Sequence, residues 1–278
     1  MAEPGPLSGR TLGGRYLLDE LLGKGSIGVV YTVKDLWPTP HPQVIKVLLE
    51  KHLYNGWFRK RFVIEAEKQA QLAHPHIIAI QDFGIEGYLP YLVMPYLKGG
   101  TLQRVLEQMS RPLMLDEIVR YLEQICPALD YLHQQGLAHL ALKPGNVLLD
   151  GNGKLLLSDF GLVRPAQQGQ GQPGLSQVTG TPLYMAPEHV QGQPEQRSDV
   201  YSVGMILNQM LRHRAAIKTN IPLQVARPDL PVPALAVLKR ALAPLPEDRY
   251  QTAGEMLEAF QAALLFRPGQ RARRAAPL

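Results

Sequence analysis

The sequence predicts an α+β chain in which a small β-rich region precedes a larger, mainly helical one. Two observations carry this. Up to about residue 95, short apolar runs rich in β-branched and large side chains alternate with glycines and prolines, the pattern of strands and turns. Beyond about residue 115 the apolar residues recur at helical spacing instead. With 278 residues the chain is long enough for one large domain or two lobes. Its 45% hydrophobic and 19% charged content excludes an intrinsically disordered protein.

In order along the chain, residues 1–14 carry Pro4, Gly5, Pro6, Gly9, Gly13 and Gly14 and read as a flexible lead-in. Runs at 16–22, 29–33 and 44–49 fit strands. Residues 59–73 hold good helix formers without Gly or Pro and read as a helix. Runs at 77–83 and 88–93 return to strand character. Further on, Ile118, Leu122, Ile125, Leu129 and Leu132 share one face of a helix that opens at Leu115-Asp116. Pro127 predicts a kink in that helix and Gly136 its C-cap. Asn152-Gly153 reads as the turn of a hairpin between 147–149 and 155–157. Residues 165–178, full of Gln, Gly and Pro, read as a mobile loop, and 199–211 and 253–265 as further helices. The expected organisation is a lead-in over 1–14, a small lobe over 15–95, a larger lobe over 96–265 and a basic tail or linker over 266–278.

No apolar run approaches the ~18 residues of a membrane helix, and no signal-peptide pattern opens the chain, so a cytoplasmic protein is expected. The single cysteine, Cys126, excludes an internal disulfide framework and a cysteine-based zinc site. Most of the formal net charge of +5 comes from Arg267, Arg271, Arg273 and Arg274, in a tail without acidic residues. The remaining body is close to neutral, and nucleic-acid binding is not expected.

Several short motifs carry chemistry. Gly23-Lys24-Gly25-Ser26-Ile27-Gly28 lies between two strands, where a hairpin tip without side chains approaches phosphates closely. Alone it is a weak signal. Val44-Ile45-Lys46 puts a lysine on the third strand; a lone strand lysine more often lies along the surface than binds a ligand. Then come His139-Leu140-Ala141-Leu142-Lys143-Pro144-Gly145-Asn146, Asp159-Phe160-Gly161, Ala186-Pro187-Glu188, Arg197-Ser198-Asp199 and Pro246-Glu247-Asp248-Arg249. In this order and over most of the chain, the set resembles the bacterial eukaryotic-like (Hanks-type) Ser/Thr protein kinases. Leu142-Lys143-Pro144-Gly145-Asn146 and Gly180-Thr181-Pro182-Leu183-Tyr184-Met185 carry the Ser/Thr flavour.

The resemblance implies a two-lobed protein kinase fold, ATP and Mg²⁺ as cofactors, and protein Ser/Thr as phosphoryl acceptor. Gly23, Lys24, Gly25 and Gly28 would cover the phosphates, and Lys46 would contact them. A helix carboxylate would orient Lys46; Glu65 and Glu67 are both candidates, and the Arg61-Phe62 that precedes them favours Glu65. Val30 and Val44 would roof the adenine and Leu148 floor it. Met94 would be the gatekeeper, followed by the carbonyl of Pro95 and the N–H of Leu97. Asn146 and Asp159 would hold metal, with Lys143 on the catalytic loop. His139, Phe160, Gly161 and Asp199 would be structural, as would the ion pair of Glu188 with Arg249. Ser176, Thr179 and Thr181 are candidate phosphosites, Thr181 matching the family's structural threonine.

Four positions depart from the pattern. Ala141 stands where the family has its catalytic-base Asp, and Leu140 where many members carry the Arg that reads a phosphorylated activation loop. Val44 replaces an alanine over adenine. The interval from 211 to 228 is short and lacks an amphipathic pattern for the family's substrate-docking helix. The nucleotide-side residues survive, so the expectation is a domain that binds MgATP and transfers phosphate poorly or not at all. Two readings fit: a kinase silenced by an alanine introduced at 141, or a natural pseudokinase acting as an ATP-responsive binding or scaffold module. A third, another nucleotidyl transfer on the same fold, has no residue pointing specifically to it. The protein partner, and a membrane-linked or multidomain context beyond the tail, are left open.

Overall fold

The computed structural model describes residues 5–25, 28–37, 39, 41–48, 56–160, 182–212 and 222–265. The chain divides into two compact units, Met1–Leu102 with Gly145–Pro182, and Gln103–Pro144 with Leu183–Leu278. The expected division at 95/96 is thus displaced, and the hairpin after the catalytic-loop motif belongs to the first unit.

The first unit is built on a six-stranded antiparallel sheet of β1 (Thr11–Leu12), β2 (Tyr16–Lys24), β3 (Gly28–Asp35), β4 (Gln43–Leu48), β5 (Asp82–Glu86) and β6 (Leu89–Pro95), in the order β1-β2-β3-β4-β6-β5. Every residue of β4 is buried, as a central strand covered on both faces requires. Alternation sends Val44 and Leu48 to one face, where they meet Phe62, Ala66, Ile78, Ile80, Leu92 and Met94. Ile45 and Val47 go to the other, against Leu12, Tyr16, Leu18, Tyr31 and Tyr91.

That second face corrects the expectation of a flexible lead-in. Leu12 is fully buried, Leu7 packs on the same cluster, and Ser8 Oγ donates to Asp19 O at 2.5 Å. Without a cover from residues 5–12, the face below β4 would be left to water. The strand expected over 77–83 is also corrected. It begins only at Asp82, while Ile77 forms a single parallel bridge to Leu157 and Ile78 N–H donates to Leu157 O at 3.0 Å. Apolar content there reflects burial, not strand pairing. Helix α1 (Gly56–Ala70) packs Phe62 and Ala66 on the other face, with Val44 and Leu48, and β7 (Val147–Leu149) and β8 (Leu155–Leu157) form the expected hairpin, with Gly153 at φ 84° in its turn.

Helix α2 (Leu102–Gln108) follows the first unit's sheet. The second unit centres on α3 (Leu115–Gln134), whose expected stripe of Ile118, Leu122, Ile125, Leu129 and Leu132 is entirely buried. The helix runs on through Pro127, and Gly136 at φ 69° stops it. At its start Glu117 accepts from Met114 N–H and from Arg111; these bonds, Arg111's foremost, hold its carboxyl down at about 2. Short helix α4 (Pro187–Val190) precedes α5 (Gln196–Leu211), and α6 (Leu223–Ala226), α7 (Val232–Ala241) and α8 (Ala253–Leu264) complete the unit. A Cβ on Gly204 of α5 would lie 2.9 Å from Leu242 Cδ2 and 3.0 Å from Ala241 Cβ, so glycine permits this helix approach. Asp130 of α3 caps α8 by accepting from Ala253 and Gly254 N–H at 3.0 and 2.9 Å.

Helix α7 escaped the sequence reading because prolines flank its start, where they suit a first turn. In the shortened interval, α6 is a single turn, and residues 213–221 lie outside the described ones. Behind α6, buried Arg227 is clasped by Asp229 at 2.8 Å and donates to Leu113 O and Leu211 O.

Candidate active site

In the first unit, β2 and β3 form the glycine-rich hairpin, with Gly23 paired to Val30 and Lys24 to Val29. Gly25 N–H donates to Gly28 O at 2.8 Å; Ser26 and Ile27 lie outside the described residues. A Cβ on Gly28 would sit 2.7 Å from Val47 O and 3.2 Å from Lys46 Cε. Glycine is what lets the hairpin approach the lysine so closely.

Lys46 shares a strand face with Val44 and Leu48, and its side chain is only 4% exposed. A buried ammonium requires a partner. Asp159 supplies it, with Oδ1 at 2.6 Å from Lys46 Nζ. Asp159 is itself unusual, a non-glycine residue at φ 63°. Its carboxylate keeps 32% exposure, so it faces Lys46 and remains accessible.

Helix α1 buries Phe62, Glu65, Ala66 and Gln69, the i, i+3, i+4, i+7 face, while Glu67 points outward. Of the two candidate carboxylates, Glu65 is the inward one. Lys46 is salt-bridged to Asp159, and Lys68 Nζ lies 3.9 Å from Glu65 Oε1. Gln69 Nε2 donates to Phe160 O at 2.6 Å, and Phe160 is buried.

Five of the six residues expected around adenine share one apolar cluster. Val44 and Met94 are direct partners across β4 and β6, and Val30, Leu97 and Leu148 pack against the same apolar cluster. Pro95 pairs opposite Gln43 at the end of β6. Leu148 is positioned by β7, whose Leu149 exchanges backbone bonds with Gly99 and Gly100 at 3.1 and 2.9 Å. Buried Asn146 precedes β7, and its carbonyl accepts from Ser158 N–H at 2.9 Å and Ser158 Oγ at 3.0 Å. The β7–β8 hairpin therefore fixes Asn146 and Asp159 relative to each other.

In the second unit, Asp199 from the first turn of α5 is fully buried. Its carboxylate accepts from His139 N–H at 2.7 Å and Leu140 N–H at 2.8 Å, and meets His133 Nε2 at 2.8 Å. These bonds hold Leu140 at φ 59°, a strained value for a leucine. Buried His139 precedes it, Ala141 is exposed with its N–H 3.3 Å from His139 Nδ1, and Lys143 is half-buried. Glu188 forms a two-pronged pair with buried Arg249 at 2.7 Å on each arm and accepts from Ser198 Oγ. Burial pushes the Glu188 carboxyl up, but the bonds from Arg249 and Ser198 outweigh it and leave it lowered. Gly161, Ser176, Thr179 and Thr181 lie outside the described residues.

With this geometry in view, the protein kinase domain family matches residues 16–249. The chain belongs to the protein kinase family. It is 34% identical over 280 residues to a probable serine/threonine-protein kinase of Streptomyces coelicolor, covering 93% of this chain and 41% of that one. It is 35% identical over 267 residues to serine/threonine-protein kinase PknB of Mycolicibacterium smegmatis, covering 88% and 42%. The chain thus spans about two fifths of the length of these relatives. Among solved structures, the PknI kinase domain of Mycobacterium tuberculosis, in a cysteine-to-alanine form, superposes with a TM-score of 0.74 at 30% identity, covering 92% and 98%. The kinase is of the bacterial Hanks type, with a β-rich small lobe and a helical large lobe.

The residues present suit the magnesium nucleotide that kinases of this family use. The donors, a carboxylate from Asp159 and an amide from Asn146, are the hard oxygen groups that Mg²⁺ prefers. Lys46 adds a cation beside Asp159, and Gly28 brings no side chain to the strand next to it. The sequence reading missed Gln69, Ser158 and His133. Each is a polar residue whose role depends on a backbone carbonyl or carboxylate distant in sequence, so no local motif marks it.

Proposed function

We propose that this kinase domain binds MgATP through its first unit and, as written, transfers phosphate to protein Ser/Thr poorly or not at all. The observation that carries the binding half is the buried Lys46–Asp159 pair beside the apolar cluster of Val30, Val44, Met94, Leu97 and Leu148. Lys46 and the Gly23–Gly28 hairpin would hold phosphates, Asn146 and Asp159 the metal, and the apolar cluster the adenine. When bound, MgATP supplies the γ-phosphoryl group.

Transfer requires a serine or threonine hydroxyl to attack that phosphorus, lose its proton to a base and displace ADP. Resemblance puts the base at position 141, where a methyl group neither orients the hydroxyl nor accepts its proton. Loss of a general base costs about 10²–10⁴ in rate, or roughly 3–5 kcal/mol of barrier. Asp199 anchors the loop through the backbone of His139 and Leu140, bonds that do not involve the residue 141 side chain. A cytoplasmic location goes with this reading, and so does a protein partner of unknown identity. No helix among the described residues is long and apolar enough to cross a membrane.

A titration of ATP with and without Mg²⁺, beside phosphotransfer assays of the wild type and Ala141→Asp, tests the proposal. Bound MgATP, with transfer appearing only in Ala141→Asp, is the expected result and marks a silenced enzyme. Bound ATP without transfer in either form favours the second reading, a pseudokinase scaffold, which Leu140, Val44 and the short interval before Arg227 support. Absence of ATP binding in both forms sinks the site assignment. Transfer of another nucleotide moiety would select the third reading.

A further inference from the structure

We infer that Gln69 is a positioning residue: a strut from helix α1 that holds the Asp159-Phe160 backbone so that the Asp159 carboxylate is presented to a divalent cation. The inference deepens the MgATP reading above and rests on it for one of its two measurements.

Among the described side chains of α1, the buried ones are Phe62, Glu65, Ala66 and Gln69. Packing alone calls for an apolar residue at 69, because a buried amide is unfavourable unless it is hydrogen-bonded. Gln69 is only 3% exposed, and its Nε2 finds Phe160 O at 2.6 Å, a carbonyl 91 residues further along the chain. A side chain that could be replaced by leucine is instead committed to one backbone oxygen.

That oxygen sits immediately after the strained residue. Asp159 has φ 63°, a region that L residues enter rarely and keep only where the surroundings impose it. Upstream, Leu157 N–H donates to His76 O at 2.9 Å and Ser158 N–H to Asn146 O at 2.9 Å, so the chain enters Asp159 from a fixed hairpin. At Asp159 itself the tether is Lys46, 2.6 Å from the carboxylate. Downstream, Gln69 holds the carbonyl of Phe160. The Lys46 tether acts on the same carboxylate that a cation would engage, and it weakens when that carboxylate is shared. The Gln69 tether acts on the backbone and does not compete. It is therefore the contact suited to keeping Asp159 in place while its side chain binds metal, and it couples that placement to the helix that carries Glu65.

The test compares wild type with Gln69→Met, which keeps length and packing but has no donor. Hydrogen–deuterium exchange on the nucleotide-free chain is the first measurement. Exchange across 158–160 is expected to rise about fivefold, the value of one hydrogen bond, with 147–157 unchanged. The second is ATP affinity in excess Mg²⁺ and in chelator. Affinity in chelator is expected to hold, while the gain conferred by Mg²⁺ shrinks by about five- to tenfold. A packing role would instead shift both affinities together or neither. Unchanged exchange at 158–160, or an unchanged Mg²⁺ gain, overturns the inference. If the wild type binds no MgATP, the functional reading has failed and the exchange result alone decides the strut. Should Gln69→Met not fold, native-state exchange of the wild type in low urea replaces it. Amides at 159–160 and in the last turn of α1 are then expected to open together, and separate urea dependences overturn the coupling.

Discussion

Five hydrogen bonds leave the Arg249 guanidinium: Nε to Ala243 O at 2.8 Å, Nη1 to Glu188 Oε1 at 2.7 Å and Arg197 O at 3.1 Å, and Nη2 to Glu188 Oε2 at 2.7 Å and Pro244 O at 3.0 Å. They use every donor an arginine has. The side chain is wholly buried, and Glu188 is 11% exposed. Arg249→Met keeps the apolar stem and removes all five bonds, leaving a carboxylate and three carbonyls to find other partners. Breaking one side of such a buried pair costs about 3–5 kcal/mol, because the surviving charge is stranded. For a protein of this size that corresponds to a fall of roughly 6–20 °C in Tm. Glu188→Gln in the Arg249→Met background should recover part of the loss, with a coupling of about 1–3 kcal/mol between the two positions. Urea unfolding and thermal scans by circular dichroism, on the four proteins of the cycle, measure this. A midpoint for Arg249→Met within about 2 °C of wild type would refute the reasoning, since it would mean less than roughly 1 kcal/mol rides on a fully satisfied buried arginine.

The same pair sets an acid limb. The Glu188 carboxyl is lowered from its ordinary 4.5, so its contribution is complete above that value and is lost as pH falls through the lower folded one. Tm measured from pH 6 down to about 3 should therefore fall less steeply in Glu188→Gln than in wild type; parallel curves would count against the assignment. Asp199→Asn keeps one acceptor but turns an amide N–H₂ toward a backbone donor, at an expected cost of about 2–4 kcal/mol read from the unfolding midpoint. Gly28→Ala drives a Cβ to 2.7 Å from Val47 O, so the hairpin must lift from β4. Overpacking of this kind costs about 1–3 kcal/mol, and ATP affinity measured by calorimetry should fall about tenfold.

Much of the fold was legible because its signals are local. The stripe on α3 has helical period, the Asn152-Gly153 turn has its own chemistry, and Gly136 ends a helix with positive φ. What the sequence concealed depends on partners far along the chain. Residues 5–12 look like a linker by composition, and only the second buried face of β4 explains why Leu12 is covered. Ile77 to Gln81 has strand composition, but its backbone is used by Leu157 and Val93 in single contacts. At the candidate site, the family resemblance pointed to Lys46, Glu65, Asn146 and Asp159. It did not foresee that the carboxylate meeting Lys46 is Asp159, nor that Gln69 reaches Phe160. Those facts depend on which side chains share a buried face.

The state of the catalytic-loop motif bears on how the alanine should be understood. Leu140 is held at φ 59°, which for a non-glycine residue costs on the order of 1–3 kcal/mol. Asp199 offsets that cost with two backbone bonds and is supported by His133. Ala141 is exposed, and the bonds from Asp199 go to the backbone of His139 and Leu140, not to the side chain at 141. A loop with no remaining use has no reason to keep a strained residue and a buried aspartate to hold it, since a relaxed turn would be more stable. The strain at Leu140 and the buried Asp199 that offsets it argue that the loop's geometry is maintained for positioning, as the proposed loss of only a proton acceptor at 141 requires. On that argument Ala141→Asp should need no compensating change elsewhere in the second unit, and its unfolding midpoint should match the wild type within about 0.5 kcal/mol.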